Sequence, residues 1–266
     1  PQKVKGPSIY CYNKELAKKL NIALSKKEII DYFSGNKIIP NTMPFAQAYA
    51  GHQFGHFTIL GDGRAIVLGE IRYKKKLYDI QLKGSGRTTY SRRGDGRATL
   101  PTMLREHLIS EAMHHLKIPT TRSLCVIQTE DSIYRENLEK GAVLTRIAQS
   151  HIRIGTFEYA ALIGVKELKQ LLNYTIERHY PELKNTDNLA QKLLKKVMDK
   201  QIQLIVDWIR VGFIHGVMNT DNTSISGETI DYGPCAFMNS YDEKTVYSSI
   251  DTHGRYSFGN QGAILK

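Results

Sequence analysis

The stretch HGVMNTDNTSISGETIDYGP (residues 215–234) gives the strongest indication of the fold class in this sequence. Within it, Asn222 offers an amide oxygen and Asp231 a carboxylate, the hard oxygen ligands that Mg²⁺ or Mn²⁺ accepts. Asp221, beside Asn222, is the carboxylate able to act as a general base, although an Asp at such a position commonly only caps a turn. The stretch therefore predicts a metal site next to a candidate base.

The spacing within this stretch resembles the catalytic and metal-binding loops of protein kinases. A kinase catalytic loop reads H-R-D-x-x-x-x-N and is followed later by D-F-G. Here His215 precedes Asn222 by seven positions, and the sequence DYG at 231–233 takes the place of D-F-G. Val217, however, stands where a kinase has its catalytic Asp. The metal ligands of a kinase are thus present without its base.

The N-terminal half predicts the elements that precede these loops in a kinase. Residues 56–71 read as a hairpin of two strands, and residues 76–84 as a strand that ends at Lys83. The hairpin turn carries groups suited to phosphate binding, namely Gly61, Gly63 and Arg64. Residues 99–117 have the apolar spacing of a helix, in which Glu106 is expected to pair with Lys83. Each residue alone is compatible with an ordinary turn or surface, but their order favours the functional interpretation.

Two further segments carry candidate nucleotide-binding residues. The stretch YSRRGDGRA (90–98) is a second glycine-rich turn that contains Asp95 and Gly96 among arginines, which suits either a polyphosphate or an exposed basic loop. A further strand is predicted at 141–149, with Arg146 near its end and Arg153 shortly after it. This position matches the end of the fifth kinase strand, where a kinase places apolar side chains against the adenine ring. Arginines suit phosphate better than adenine, so the nucleotide is expected to bind reversed relative to a kinase.

The order of elements predicts an α+β, two-lobed protein-kinase-like fold. Its strand-rich N-lobe would span residues 1–150, and its helical C-lobe residues 151–266, with a long helix within 188–214. A dinucleotide-binding sheet is disfavoured, because GSGRTT (84–89) lacks the third glycine of G-x-G-x-x-G and strands do not alternate regularly with helices.

Composition sets further limits on the class of protein. The 24% of charged and 41% of hydrophobic residues are ordinary for a globular protein, and no run of about 18 apolar residues predicts a membrane span. Three widely spaced cysteines favour a reducing compartment such as the cytoplasm. The net charge of +11 favours a polyanionic partner, but no nucleic-acid-binding motif accompanies it, so no nucleic acid is expected.

Beyond the kinase loops, the sequence closely resembles the selenoprotein O family, also called YdiU-like proteins. The stretches that carry the resemblance lie between residues 44 and 261: PFAQAYAGHQFGHFTILGDGRA, DIQLKGSGRTTYSRRGDGRATLPTMLREHLISEAM, TTRSLCVI, LTRIAQSHIRIGTFE, HGVMNTDNTSISGETIDYGPCAFMNSYD and HGRYSFGNQ. The family consists of pseudokinases that act as protein adenylyltransferases. Its members continue past the GNQ segment into a further helical region, so this chain is expected to be a fragment or a naturally truncated copy.

The resemblance implies a reaction and a role for each candidate residue. ATP would bind reversed, and AMP would pass from its α-phosphate to a Ser, Thr or Tyr hydroxyl of a protein substrate, with Mg²⁺ or Mn²⁺ present. Asp221 would be the proton acceptor, Asn222 and Asp231 would hold the metal, and Glu106 would pair with Lys83. The nucleotide would be bound by Gly61, Gly63, Arg64, Lys83, Asp95, Gly96, Arg146 and Arg153.

Three alternatives to AMP transfer stay open at this point. One is a non-catalytic nucleotide-binding pseudokinase scaffold, and another is a phosphotransferase that uses the γ-phosphate. The third is a nucleic-acid-binding protein attracted by the positive charge of the chain, which lacks both a motif and an aromatic stacking platform.

Overall fold

The computed structural model describes residues 1–265, which form two compact units. The first unit comprises Pro1–Ala48, Leu60–His114 and Thr121–Ser150. The second unit comprises Tyr49–Ile59, His115–Thr120 and the residues from His151 onward. Both strands and helices build the chain, so the predicted α+β class is confirmed.

The strands and α-helices are numbered here in chain order. The strands are β1 (Ser8–Tyr12), β2 (Ala48–Gln53), β3 (His56–Gly61), β4 (Ala65–Tyr73), β5 (Lys76–Lys83), β6 (Ala98–Thr99), β7 (Arg122–Tyr134), β8 (Leu138–Ala148), β9 (Phe213–Ile214) and β10 (Ala236–Phe237). The α-helices are α1 (Lys14–Lys19), α2 (Lys26–Phe33), α3 (Leu100–His115), α4 (Ile154–Ile163), α5 (Val165–His179) and α6 (Leu189–Arg210).

The first unit is built on an antiparallel sheet. Its strand order is β1-β7-β8-β5-β4, and β6 also pairs with β8. The strands predicted at 76–84 and 141–149 are confirmed as β5 and β8. From Gly141 to its end β8 is buried at every position, as expected for a central strand whose two faces are both covered.

Helices cover both faces of this sheet. Ile147 and Leu144 are three residues apart on β8 and therefore point to opposite faces. Ile147 belongs to a core that includes Phe33 of α2, whereas Leu144 belongs to a core that includes Met103 of α3. The helix α3 thus lies on the Leu144 face of the sheet.

The register of β5 and β8 sends polar side chains to that same face. Gln81 lies opposite Arg146, and Lys83 lies opposite Leu144. Directly opposed residues of an antiparallel pair share a face, and residues two apart on a strand do so as well. Gln81, Lys83 and Arg146 therefore all point towards the side on which α3 packs.

The glycine-rich turn after β3 differs from the prediction. Residues 56–71 do not form a hairpin, because β3 pairs with β2 in a separate two-stranded sheet and β4 pairs with β5. The reason lies in the backbone of Asp62, whose N–H donates to the carbonyl of Gln47 at 2.8 Å and so continues the direction of the β2–β3 pair. The turn at 61–63 connects two sheets instead of two paired strands.

The second unit is mainly helical. Its core includes Ile176 of α5 with Leu193 and Val197 of α6, which recur on one face at helical spacing. The helix predicted within 188–214 is α6, but it ends at Arg210, because Gly212 adopts a φ of +68° that leaves the helical path.

The stretch quoted first, 215–234, is a loop closed at its base by two short strands. β9 and β10 immediately flank it and pair antiparallel, with Ile214 opposite Ala236. Within the loop, Thr220–Asn222 form one turn of 3₁₀-helix. None of the helices among residues 1–265 combines the length and apolar character needed to cross a membrane.

Candidate active site

The ion pair predicted between Lys83 and Glu106 is present in the first unit. The Nζ of Lys83 donates to Oε2 of Glu106 at 2.6 Å, and both side chains are buried. The lysine lies at the end of β5 and the glutamate at mid-length of α3. Because α3 packs on the face to which Lys83 points, the sheet and the helix bring the two charges together.

Arg146 joins this ion pair as a second cation. Its Nη1 donates to Oε1 of Glu106 at 3.1 Å, while its Nε donates to Oε1 of Gln81 at 3.0 Å. Arg146 has only 1% of its surface exposed. We call Lys83, Glu106, Arg146 and Gln81 the Glu106 cluster. One buried carboxylate therefore holds two cations in place, and charge-assisted hydrogen bonds of this kind are strong and directional.

The glycine-rich turn of the first unit owes its glycines to a close neighbour. A Cβ on Gly61 would lie 2.3 Å from the ring of Tyr90, and one on Gly63 would lie 2.9 Å from the carbonyl oxygen of Tyr90. Arg64, in contrast, is exposed, and its guanidinium makes no hydrogen bond or ion pair with residues 1–265. The turn is packed against Tyr90, and Arg64 offers a cation to solvent.

Asp95 and Gly96 lie in a loop fixed by an arginine that sequence reasoning missed. Arg135 binds the Asp95 carboxylate with both terminal nitrogens, at 2.9 and 2.8 Å, and this guanidinium holds the pKa of Asp95 below its usual range. Gly96 has a φ of +67°, and a Cβ there would lie 2.2 Å from the backbone of Gly86. Glycine is therefore required at 96 for both conformation and space.

Arg153, in the second unit, contacts the candidate metal ligand Asp231. Its Nη2 lies 3.3 Å from Oδ2 of Asp231, and its Nη1 donates to the carbonyl of His151 at 3.3 Å. The guanidinium also stacks over the ring of Tyr49, 4.2 Å from its centre. Arg153 precedes the first residue of α4 and is 1% exposed, so this cation is held by packing as well as by charge.

Asn222 and Asp231 present oxygen donors that suit a hard divalent cation. The Nδ2 of Asn222 donates to the carbonyl of Val217 at 2.9 Å, whereas its amide oxygen makes no hydrogen bond with residues 1–265. Asp231 adopts a φ of +63°, a left-handed conformation that is uncommon for a residue other than glycine and that clusters at functional sites.

The number of these oxygen donors also suits a hard divalent cation. No group of three or more His, Cys, Asp or Glu side chains among residues 1–265 is arranged to hold a metal. Mg²⁺ commonly takes one or two protein ligands and completes its shell with water and substrate phosphates. An amide oxygen and a carboxylate from one loop are therefore of the kind and number that a cation bound together with phosphates accepts.

Asp221 is a buried carboxylate with one oxygen engaged and one available. Gln53 donates to Oδ2 at 3.1 Å, whereas Oδ1 is buried and has no hydrogen-bond partner among residues 1–265. Burial raises the pKa of Asp221, although the Gln53 hydrogen bond and the positive charge of Arg153 act in the opposite direction. A carboxylate with a raised pKa binds a proton more readily than an exposed one does.

The strand β2 supplies two residues that sequence reasoning missed. Gln53 orients Asp221, and Gly51 makes room for it, because a Cβ on Gly51 would lie 2.3 Å from Oδ1 of Asp221. Both lie in AGHQFGH (50–56), which the resemblance marks as a shared stretch without indicating what it contacts.

Within each unit the structure groups most of the predicted residues. In the first unit Lys83, Glu106 and Arg146 form one cluster, while Asp95 and Gly96 belong to the loop held by Arg135. In the second unit Arg153 bonds to Asp231, and the charges of both act on the Asp221 carboxylate. Buried cations beside metal-type donors are typical of enzymes that handle nucleotide phosphates.

Comparison with known proteins identifies the family. The family model described as Protein adenylyltransferase SelO matches residues 1–266, and the chain belongs to this family. It is 57% identical to the Protein nucleotidyltransferase YdiU of Pelagibacter ubique (strain HTCC1062), an alignment that covers 100% of this chain and 56% of that protein. It is 58% identical to the protein of the same name from Brevibacillus brevis, with 99% of this chain and 55% of that protein covered. The chain thus spans about half the length of the curated relatives it matches.

Proposed function

We propose that this chain transfers AMP from ATP to Ser, Thr or Tyr hydroxyls of other proteins. The family and the names of the relatives support a nucleotidyltransferase. The observation that carries the proposal is Arg146, a buried guanidinium that shares Glu106 with Lys83. A kinase binds the purine against apolar side chains at this strand, whereas a buried cation favours phosphate. A nucleotide bound with its terminal phosphates here would expose its α-phosphate for attack.

The proposal includes a protein-kinase-like arrangement of two lobes. The first unit supplies a strand ending in lysine and a helix carrying glutamate, and the second supplies the catalytic-type and metal-type loops, which is the order of kinase elements. The lobes would correspond to residues 1–150 and 151–266. The three widely spaced cysteines of the sequence, Cys11, Cys125 and Cys235, are consistent with a reducing compartment such as the cytoplasm.

The nucleotide-binding role falls to the basic and glycine residues of the chain. Lys83 and Arg146 would contact phosphate oxygens, and the exposed Arg64 would add a third cation beside Gly61 and Gly63. Asp95 and Gly96, in the loop that Arg135 fixes, and the buried Arg153 would complete the set. Positive charges fixed before the reaction stabilise the negative charge that develops on the departing pyrophosphate.

Asn222 and Asp231 would hold Mg²⁺ or Mn²⁺. When bound, such an ion neutralises charge on the phosphates and orients them. The contribution of the chain is to fix both ligands, since the Asn222 amide is anchored by Val217 and the Asp231 carboxylate by Arg153.

Asp221 would accept the proton of the attacking hydroxyl. As the hydroxyl oxygen bonds to the α-phosphorus, its proton passes to the carboxylate and the bond from the α-phosphorus to the bridging oxygen breaks. Pyrophosphate leaves with the electron pair of that bond. Gln53 keeps Oδ2 engaged, so Oδ1 is the oxygen available for the proton. A base at position 221 would also explain why Val217 is tolerated where a kinase has its Asp.

Labelled ATP tests the proposal. When the chain is incubated with Mg²⁺ or Mn²⁺ and a protein mixture, label from [α-³²P]ATP should appear on protein, and label from [γ-³²P]ATP should not. Asp231→Ala should abolish this transfer. Asp199→Ala, an exposed aspartate on α6, is the matched control and should transfer normally. Transfer of the γ-label alone would replace the proposal by a phosphotransferase, and nucleotide binding without transfer of either label would indicate a non-catalytic scaffold.

A further inference from the structure

Gln81 is a buried side chain to which neither the sequence nor the proposed reaction gives a role. It is 0% exposed, and its Oε1 accepts hydrogen bonds from both Nε and Nη2 of Arg146, the first at 3.0 Å. One whole edge of the Arg146 guanidinium is therefore fixed by Gln81, while Nη1 is fixed by Glu106. Two separate acceptors define the plane of the arginine head group, which a single ion pair would not do.

The other end of Gln81 reaches the glycine-rich turn. Its Nε2 donates to Oδ2 of Asp62 at 3.2 Å, and the same oxygen accepts the backbone N–H of Gln47 at 3.2 Å. Asp62 is 2% exposed and lies between Gly61 and Gly63. A continuous buried hydrogen-bond path therefore runs from Arg146 through Gln81 to the turn.

The charges along this path explain why a neutral residue stands at its centre. Lys83 and Arg146 carry two buried positive charges, and Glu106 and Asp62 carry two buried negative charges. The Gln81 carboxamide satisfies the hydrogen-bond donors of Arg146 without neutralising the arginine. It also satisfies Asp62, which requires a donor on the opposite side. A buried polar group left without its partner is costly, so a side chain with both a donor and an acceptor is needed here.

We propose that Gln81 and Asp62 are positioning residues that hold the Arg146 guanidinium and the Gly61–Gly63 turn in one fixed arrangement for binding of the nucleotide phosphates. This inference rests on the proposed function, in which Arg146 and the turn bind those phosphates. Neither positioning residue needs to touch the nucleotide, and each acts through a group that does.

The inference is tested by comparing the affinities of the chain for ligands with and without phosphates. Calorimetry on the 266-residue chain with Mg²⁺ would compare ATP, inorganic tripolyphosphate and adenosine. Gln81→Met keeps the length of the side chain but removes its three hydrogen bonds, two from Arg146 and one to Asp62. It should weaken ATP and tripolyphosphate binding about tenfold, as expected when a charged group loses an orienting hydrogen bond. Adenosine affinity should stay within about twofold, because Arg146 is assigned to phosphate.

Two further variants separate positioning from general damage. Gln201→Met replaces another buried glutamine, whose amide donates to the carbonyl of Ser224 at 2.7 Å, and it should leave the affinities for all three ligands unchanged. Asp62→Asn removes the charge that receives Gln81 and should weaken tripolyphosphate binding less than Gln81→Met does, again without effect on adenosine. In the transfer assay the KM for ATP should rise in both site variants while kcat changes little.

The outcomes distinguish this inference from the proposed reaction. Equal losses for adenosine and tripolyphosphate in Gln81→Met, or unchanged affinity for both, would overturn the positioning role. Failure of the wild-type chain to bind tripolyphosphate would overturn it as well. Wild-type binding of ATP and tripolyphosphate without AMP transfer would remove the transferase proposal alone, and the positioning role would still be decided by the binding data.

Discussion

Replacement of Glu106 by glutamine should destabilise the first unit strongly. The Glu106 side chain is 3% exposed and its two oxygens accept from Lys83 at 2.6 Å and from Arg146 at 3.1 Å, both of which are also buried. In Glu106→Gln one oxygen becomes an NH₂ group, so a donor faces one of the cations. Breaking a buried ion pair by removing one partner costs about 3–5 kcal/mol, and here two pairs lose the shared charge.

Urea unfolding followed by circular dichroism would measure this loss. We expect the free energy of unfolding of Glu106→Gln to fall by about 3–5 kcal/mol. Glu15→Gln, an exposed glutamate on α1, serves as the control and should change stability by less than about 0.5 kcal/mol. If the free energy of unfolding of Glu106→Gln lies within about 1 kcal/mol of the wild-type value, Glu106 does not hold two buried cations in solution, and the role given to the Glu106 cluster is refuted.

Two other predictions concern single contacts. Gly51→Ala should reduce AMP transfer on the order of 100-fold, because a Cβ at position 51 would lie 2.3 Å from Oδ1 of Asp221 and displace the proposed base. Gly262→Ala, at a position with open space, is the control and should leave the rate of AMP transfer unchanged. For Glu111, burial favours the neutral acid, but hydrogen bonds from Arg122 prevail and keep the pKa of Glu111 low. The stabilisation that the Arg122–Glu111 ion pair provides is fully present above pH about 4.3, the pKa of a glutamate in the unfolded chain. It is lost as the pH falls through the lower pKa that Glu111 has in the folded chain. The stability difference between wild type and Glu111→Gln should therefore be constant from neutral pH to about pH 5 and shrink below it, and a difference that grows on acidification would contradict this assignment.

The sequence could predict contacts whose partners lie on elements that follow a known order. Lys83 and Glu106 could be paired because a strand ending in lysine precedes a helix carrying glutamate, as in protein kinases. The strands containing Lys83 and Arg146 could be recognised from their apolar residues. In these cases the local pattern and the chain order together specify the neighbour.

Other contacts depend on distant pairings that local patterns do not encode. Gln53 and Asp221 are 168 residues apart, and Asp95 and Arg135 are 40 apart. Nothing local to either member of these pairs indicates the other. The incorrect hairpin at 56–71 has the same origin, because glycines mark where the chain turns but do not specify which strand becomes the partner.

A crystal structure of the chain with Mg²⁺ and a non-hydrolysable ATP analogue would test the central claim most directly. We expect the terminal phosphates of the analogue to contact Lys83 and Arg146, with the α-phosphate exposed. A purine ring packed against Arg146, with the γ-phosphate as the exposed group, would contradict the account and favour transfer of the γ-phosphate.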